Sequence, residues 1–110
     1  MSTYKPRRCS KRWLDGDCPD GVLCIMDDPR YTDRYTVFYK EVHEYDGRRY
    51  LFGRAMSEHP THPQGVGLSI EMQAHGVAAY RYANKHRYCK WTDLPKAVQD
   101  CVRRDLEESK

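Results

Sequence analysis

The hydrophobic positions of this chain change period along its length, and the changes place the elements. Residues 1–20 show no period, and Pro6, Asp15-Gly16-Asp17 and Pro19-Asp20-Gly21 are turn chemistry. Val22-Leu23-Cys24-Ile25-Met26 is a short continuous apolar run, the pattern of a buried strand, and Asp27-Asp28-Pro29 ends it. Two β-rich runs follow, Tyr35 to Glu44 and Arg49 to Ser57, on either side of Asp46-Gly47. Such a pair between two strands predicts a two-residue type I′ hairpin, because Asp and Gly accept the positive φ that the turn needs. The turn sets a register: Tyr45 opposite Arg48, Glu44 opposite Arg49, His43 opposite Tyr50 and Val42 opposite Leu51. Carried on unbroken, it puts Tyr39 opposite Arg54, Phe38 opposite Ala55 and Val37 opposite Met56. These partners suit one another in charge and shape.

Val66 to Ile70 predicts another strand. Glu71 to Asn84 is divided: Ala78 and Ala79 favour a helical turn, while Gly76 and the β-formers oppose it. His86 to Trp91 reads as a short strand. Thr92 or Asp93 can N-cap a final helix with Pro95 in its first turn. Leu94, Val98, Cys101, Val102 and Leu106 recur at helical spacing and form one apolar face. The expected fold class is therefore α+β: a small antiparallel sheet of about three to five strands, centred on the Asp-Gly hairpin and packed by the C-terminal helix. Residues 1–20 would form an irregular basic N-terminal arm, and 21–110 a single α+β domain.

At 110 residues there is room for one modest core, which leaves a homo-oligomer open. Lys5, Arg7, Arg8, Lys11 and Arg12 crowd the first twelve positions, and Asp15, Asp17, Asp20, Asp27, Asp28 and Asp33 follow. The basic segment is either a solvated terminus or a contact for phosphate or an acidic partner. A net charge of +3 argues against strong nonspecific duplex binding. No apolar run reaches membrane-spanning length and no signal-peptide core is visible, so the expected location is cytoplasmic. The five cysteines then read as reduced thiols. Nothing in the sequence calls for a cofactor.

Candidate chemistry concentrates in Met56-Ser57-Glu58-His59-Pro60-Thr61-His62-Pro63-Gln64-Gly65. The prolines stiffen this segment and push the residue before each to extended geometry. Ser57, Glu58, His59, His62 and Gln64 are thus displayed on a rigid loop at a strand end, a common place for binding. Tyr39, Arg54, Arg81 and Arg87 add stacking faces and guanidinium groups suited to phosphate or carboxylate. A less favoured arrangement joins His59 and His62 with His86 and Cys89 as tetrahedral zinc ligands. A histidine of the loop could also serve as a base beside Ser57 or Glu58. No catalytic residue is assigned, because there is no GxSxG, no HExxH and no phosphate-cradling glycine loop.

The order of these segments resembles small, mostly uncharacterised accessory proteins of tailed bacteriophages. The Met-Ser-x-x-Pro-x-x-Pro-Gln-Gly loop at 56–65 carries the resemblance. Tyr35-Thr36-Val37-Phe38-Tyr39 before it, and Trp91-Thr92-Asp93-Leu94-Pro95 leading into Cys101-Val102-Arg103-Arg104-Asp105-Leu106, support it over residues 22–108. That family often has an aromatic residue after the last loop glycine, where this chain has Val66. The resemblance implies a non-enzymatic accessory protein in the host cytoplasm that binds a host target to counter defence. The target would be a host protein complex or a nucleotide-like immune signal. The alternatives are a nucleic-acid-binding regulator using the basic arm and the Tyr/Arg surface, and a zinc- or histidine-dependent hydrolase.

Overall fold

The computed structural model describes residues 5–108. The outermost positions of the expected arm (1–4) and of the expected domain (109–110) lie outside the described residues. Four strands, β1 (Val22–Asp27), β2 (Tyr35–Tyr45), β3 (Arg48–Met56) and β4 (Gly67–Gln73), form one antiparallel meander in the order β1-β2-β3-β4. Two helices follow, α1 (Ala74–Ala83) and α2 (Lys96–Glu108). The fold is α+β, with an amphipathic helix at its C-terminus, as the hydrophobic pattern predicts.

The hairpin turn is as expected. Asp46 and Gly47 have φ of 53° and 70°, and Tyr45 to Val42 pair with Arg48 to Leu51 in the predicted register. Beyond Val42 that register fails. The next pair is Phe38 opposite Gly53, followed by Val37 opposite Arg54 and Thr36 opposite Ala55. In between, β2 sets Tyr39, Lys40 and Glu41 against Phe52 alone. Two residues are thus inserted, a wide irregularity that re-aims the strand. Packing explains the shift. A Cβ on Gly53 would come within 2.7 Å of the Phe38 ring, so this glycine is where that ring can lie over β3. The Lys40 amide, inside the irregular stretch, donates to the Gly21 carbonyl at 2.9 Å.

Both faces of the sheet are covered at β1, which explains its continuous apolar run. Val22, Ile25, Tyr35, Val37, Tyr39 and Met56 pack with Trp91, Leu94, Val98, Cys101 and Val102 on the α2 side. Cys24, Met26, Phe38 and Leu51 pack with Ala74 and Val77 of α1 on the other. The predicted apolar face of α2 is borne out: Val98, Cys101 and Val102 are buried, and Leu106 packs half-buried against the same cluster.

The strand expected over His86 to Trp91 does not form. Lys85–Arg87 and Trp91–Asp93 are single 3-10 turns, and Tyr88 alone makes an isolated bridge to Met26. Tertiary burial decides this segment. Trp91 is fully buried, its amide donates to the Trp13 carbonyl, and its indole Nε1 donates to Asp17 at 3.0 Å. The expected cap is also displaced. Thr92 Oγ1 donates to Asp15, while the Pro95 carbonyl accepts from Val98 and Gln99 to start α2. Residues 5–20 contain no strand or helix and lie against the sheet. Leu14 is buried, the Cys9 amide donates to the Leu23 carbonyl, and Arg8 donates to the carbonyls of Val22 and Pro19. Among the described residues, no helix is long and apolar enough to cross a membrane.

Candidate functional site

The loop after β3 is built on its own hydrogen bonds. Ser57 is buried, its amide donates to the Val66 carbonyl at 2.8 Å, and its Oγ accepts from the Val66 amide at 2.9 Å. These two bonds close the neck of the loop. Inside it, the His62 amide donates to the His59 carbonyl and the Gly65 amide to the His62 carbonyl. His62 Nδ1 accepts from the Gln64 amide at 3.1 Å. Gly65 is obligatory, since a Cβ there would sit 1.7 Å from the His59 carbonyl oxygen. Glu58 accepts from Arg34 at 2.9 Å, and Arg34 also grips Asp27 with two hydrogen bonds. Ser57 and Glu58 therefore fasten the loop, while His59, His62 and Gln64 remain exposed on it. The Ser57 hydroxyl accepts from the Val66 amide, and among the described residues no hydrogen bond joins it to His59 or His62.

Tyr39 and Arg54 meet in space, but not as the cross-strand pair that the unbroken register predicts. They converge on Asp105 of α2. Tyr39 Oη donates to Asp105 Oδ2 at 2.6 Å, and Arg54 donates to both carboxylate oxygens at 2.5 and 2.8 Å. A third donor of Arg54 reaches the Gly67 carbonyl at 3.3 Å. Burial, and then the Asp105 hydrogen bond, raise the pKa of the Tyr39 phenol. The Asp105 hydrogen bond strengthens the hold of Arg54 on its proton against the opposing effect of burial. The cluster thus ties β2, β3 and α2 together with paired charges, a geometry suited to two-point guanidinium recognition.

This cluster forms one wall of a broad open groove of about 1540 Å³ on the α2 side of the sheet. Its floor is the part of β2 and β3 that α2 leaves uncovered, including His43 and Phe52, and Lys5, Arg8 and Asp20 reach it from the N-terminal segment. The His43 and Phe52 rings meet edge to face at 4.3 Å. Next along the sheet, Tyr45 and Tyr50 stack at 4.3 Å with 7° between their planes, and the Tyr45 hydroxyl donates to Glu71. Tyr45 is 44% and Phe52 37% exposed. The choice of site residues from sequence omitted these four rings. The signal was present, because the hairpin register pairs His43 with Tyr50, and alternation then puts Tyr45 and Phe52 on the same face. What the sequence does not show is that α2 stops short of them.

The remaining chosen residues lie elsewhere. Arg81 is on α1, across the sheet, where Nε donates to the Tyr88 hydroxyl at 3.0 Å and Nη1 to the Arg7 carbonyl. Arg87 donates to Asp28 at 2.6 Å. Arg30, and then Arg87, hold the Asp28 carboxyl down at about 2. The nine residues selected for one binding site are therefore distributed over several surfaces, and the three arginines already have protein partners. The four ligands considered for zinc are not assembled: among the described residues, no three His, Cys, Asp or Glu side chains converge as a metal set. Cys89 packs half-buried against the core, and burial pushes its thiol up to about 12. Burial likewise pushes Cys18 to about 11 and Cys24 to about 12, so these thiols stay protonated near neutral pH and are weak nucleophiles. No protein-family model matches this chain, and comparison with curated proteins and with solved structures likewise finds no match.

Proposed function

We propose that this chain is a non-enzymatic binding protein that engages a partner protein through the open face of its sheet. The observation that carries the reading is the aromatic surface of His43, Tyr45, Tyr50 and Phe52 beside the groove and uncovered by α2. Aromatic side chains supply large contact area at small entropic cost and dominate binding surfaces. The groove is lined by charges of both signs: Lys5, Arg8, Lys40 and Arg54, with Asp20, Glu41, Glu44, Asp105 and Glu108. A mixed rim suits a protein surface better than a phosphate backbone. In the setting implied by the phage resemblance, the target is a host protein complex, and the role is to counter defence in the host cytoplasm.

A second reading rests on the Tyr45–Tyr50 stack with Arg48 opposite Tyr45, since flat rings on an open sheet can stack bases of single-stranded nucleic acid. One experiment separates the two. The wild-type chain, a His43→Ala/Phe52→Ala variant and a His59→Ala/His62→Ala variant are used to capture host proteins, and each is titrated with a labelled single-stranded oligonucleotide at two salt concentrations. The groove variant should melt cooperatively and lose capture by about tenfold or more, while the loop variant keeps it. Undiminished capture by the groove variant would move the surface to the His-Pro loop. Salt-sensitive oligonucleotide binding without protein capture would select the second reading.

A further inference from the structure

The two edges of the sheet are treated differently. The outer edge of β1 is occupied: its Leu23 carbonyl accepts from Cys9, its Ile25 carbonyl accepts from Cys89, and Met26 bridges to Tyr88. β4 pairs with β3 over its whole length, without a register shift, from Gly67 opposite Met56 to Gln73 opposite Tyr50. Among the described residues, no turn or loop backbone group bonds to β4, and α1 begins directly after Gln73, its N-cap. An open edge is a template for another strand, and monomeric proteins guard it with lysine, proline, a bulge or a covering segment. Gly67-Leu68-Ser69-Ile70-Glu71-Met72-Gln73 has no lysine, proline or bulge and no covering segment among the described residues, and its one charge, Glu71, accepts from the Tyr45 hydroxyl on the α2 face.

The sequence of β4 is also complementary to itself. About a two-fold axis at Ile70, antiparallel pairing sets Ile70 against its own copy, Leu68 against Met72, Ser69 against Glu71 and Gly67 against Gln73. The apolar members share the α1 face, where Ile70 and Met72 already pack against the core and Leu68 is left 57% exposed. The polar members share the α2 face, and the two copies of Glu71 face serine and not each other, so no like charges are directly opposed. We propose that β4 is a self-association edge, and that two copies of this chain join through it into one continuous eight-stranded sheet, twice the four strands of a single chain. A two-fold axis perpendicular to the sheet is the only one that makes this pairing antiparallel and continuous. Both α2 faces, and with them both grooves, then lie on the same side. The dimer does not depend on what the grooves bind.

Sedimentation equilibrium and amide hydrogen exchange test this on the full chain up to about 100 μM, a range that detects micromolar association. The wild type should approach twice its 13.0 kDa mass, and amides of β4 should become more protected as concentration rises. Leu68→Lys sets a charge at an exposed position of the joint and should raise the dissociation constant tenfold or more, with the melting temperature of the dilute protein unchanged. Leu68→Ala trims the apolar contact with Met72 of the second copy and should weaken the dimer by a smaller factor than Leu68→Lys. A wild type that stays monomeric throughout this range overturns the proposal, as does a dimer that neither variant alters. A monomer whose β4 amides become protected only when another protein is captured also overturns it, by giving the edge to a partner's strand.

Discussion

Asp105 shows how much one side chain can carry here. It accepts from Tyr39 and twice from Arg54, and its side chain is only 12% exposed while that of Arg54 is 25% exposed. Asp105→Asn keeps the shape but leaves the guanidinium without its counter-charge and forces one amide group to face a donor. We expect a loss of about 1–3 kcal/mol, below the value for a fully buried pair because water reaches Arg54. Urea unfolding of the variant measures it. An unchanged midpoint would mean that water replaces the carboxylate at little cost and that the cluster does not hold α2 to the sheet. Ser57 makes the complementary point. Its residue type and its place beside two histidines suggested chemistry, yet its hydroxyl and amide both serve the neck of the loop.

At the scale of elements, the β2–β3 hairpin depends on positive φ at both turn positions. Gly47→Val should cost about 1–3 kcal/mol, because a β-branched residue is strained there. No steric clash contributes, since nothing lies within 4 Å of a Cβ at that position. A thermal midpoint equal to that of the wild type would show that the backbone relaxes to another turn. The same hairpin marks the limit of reading from a turn. Register propagates from Asp46-Gly47 only as far as Val42, because the packing of Phe38 over Gly53, not the turn, sets the pairing beyond it. Similarly, the residues around Trp91 have strand propensity but form turns, since burying the indole with its Nε1 bonded to Asp17 outweighs local preference.

The whole molecule rests on two cores that share one sheet. On the α2 side, Val98 and Val102 are fully buried against Val22, Ile25 and Val37. Ending the chain after Gln99 removes Cys101, Val102, Asp105 and Leu106 together, exposing that side of the sheet and freeing Arg54 and Tyr39. Such a protein should show no cooperative thermal transition and should bind a hydrophobic dye. A soluble truncation that still melts cooperatively would mean that the α1-side core is sufficient and that α2 is peripheral.

The sequence alone determined the elements whose signals are local. The Asp-Gly turn, the helical period of Leu94 to Leu106 and the unbroken apolar run of β1 each lie within a few residues, so the hairpin, the final helix and the buried strand could be read directly. The same is true of the His-Pro loop, whose prolines confine it wherever it is placed. Only the tertiary structure decided the rest. Asp105 meets Tyr39 and Arg54 across 66 and 51 positions of sequence, and no local period encodes such a meeting. The open aromatic face exists because α2 covers one part of the sheet and leaves another bare. The free edge of β4 exists because Cys9 and Cys89 bond to β1 and nothing described does the same for β4. Each of these is a matter of which surfaces remain after long-range packing, and burial, not local propensity, settles them.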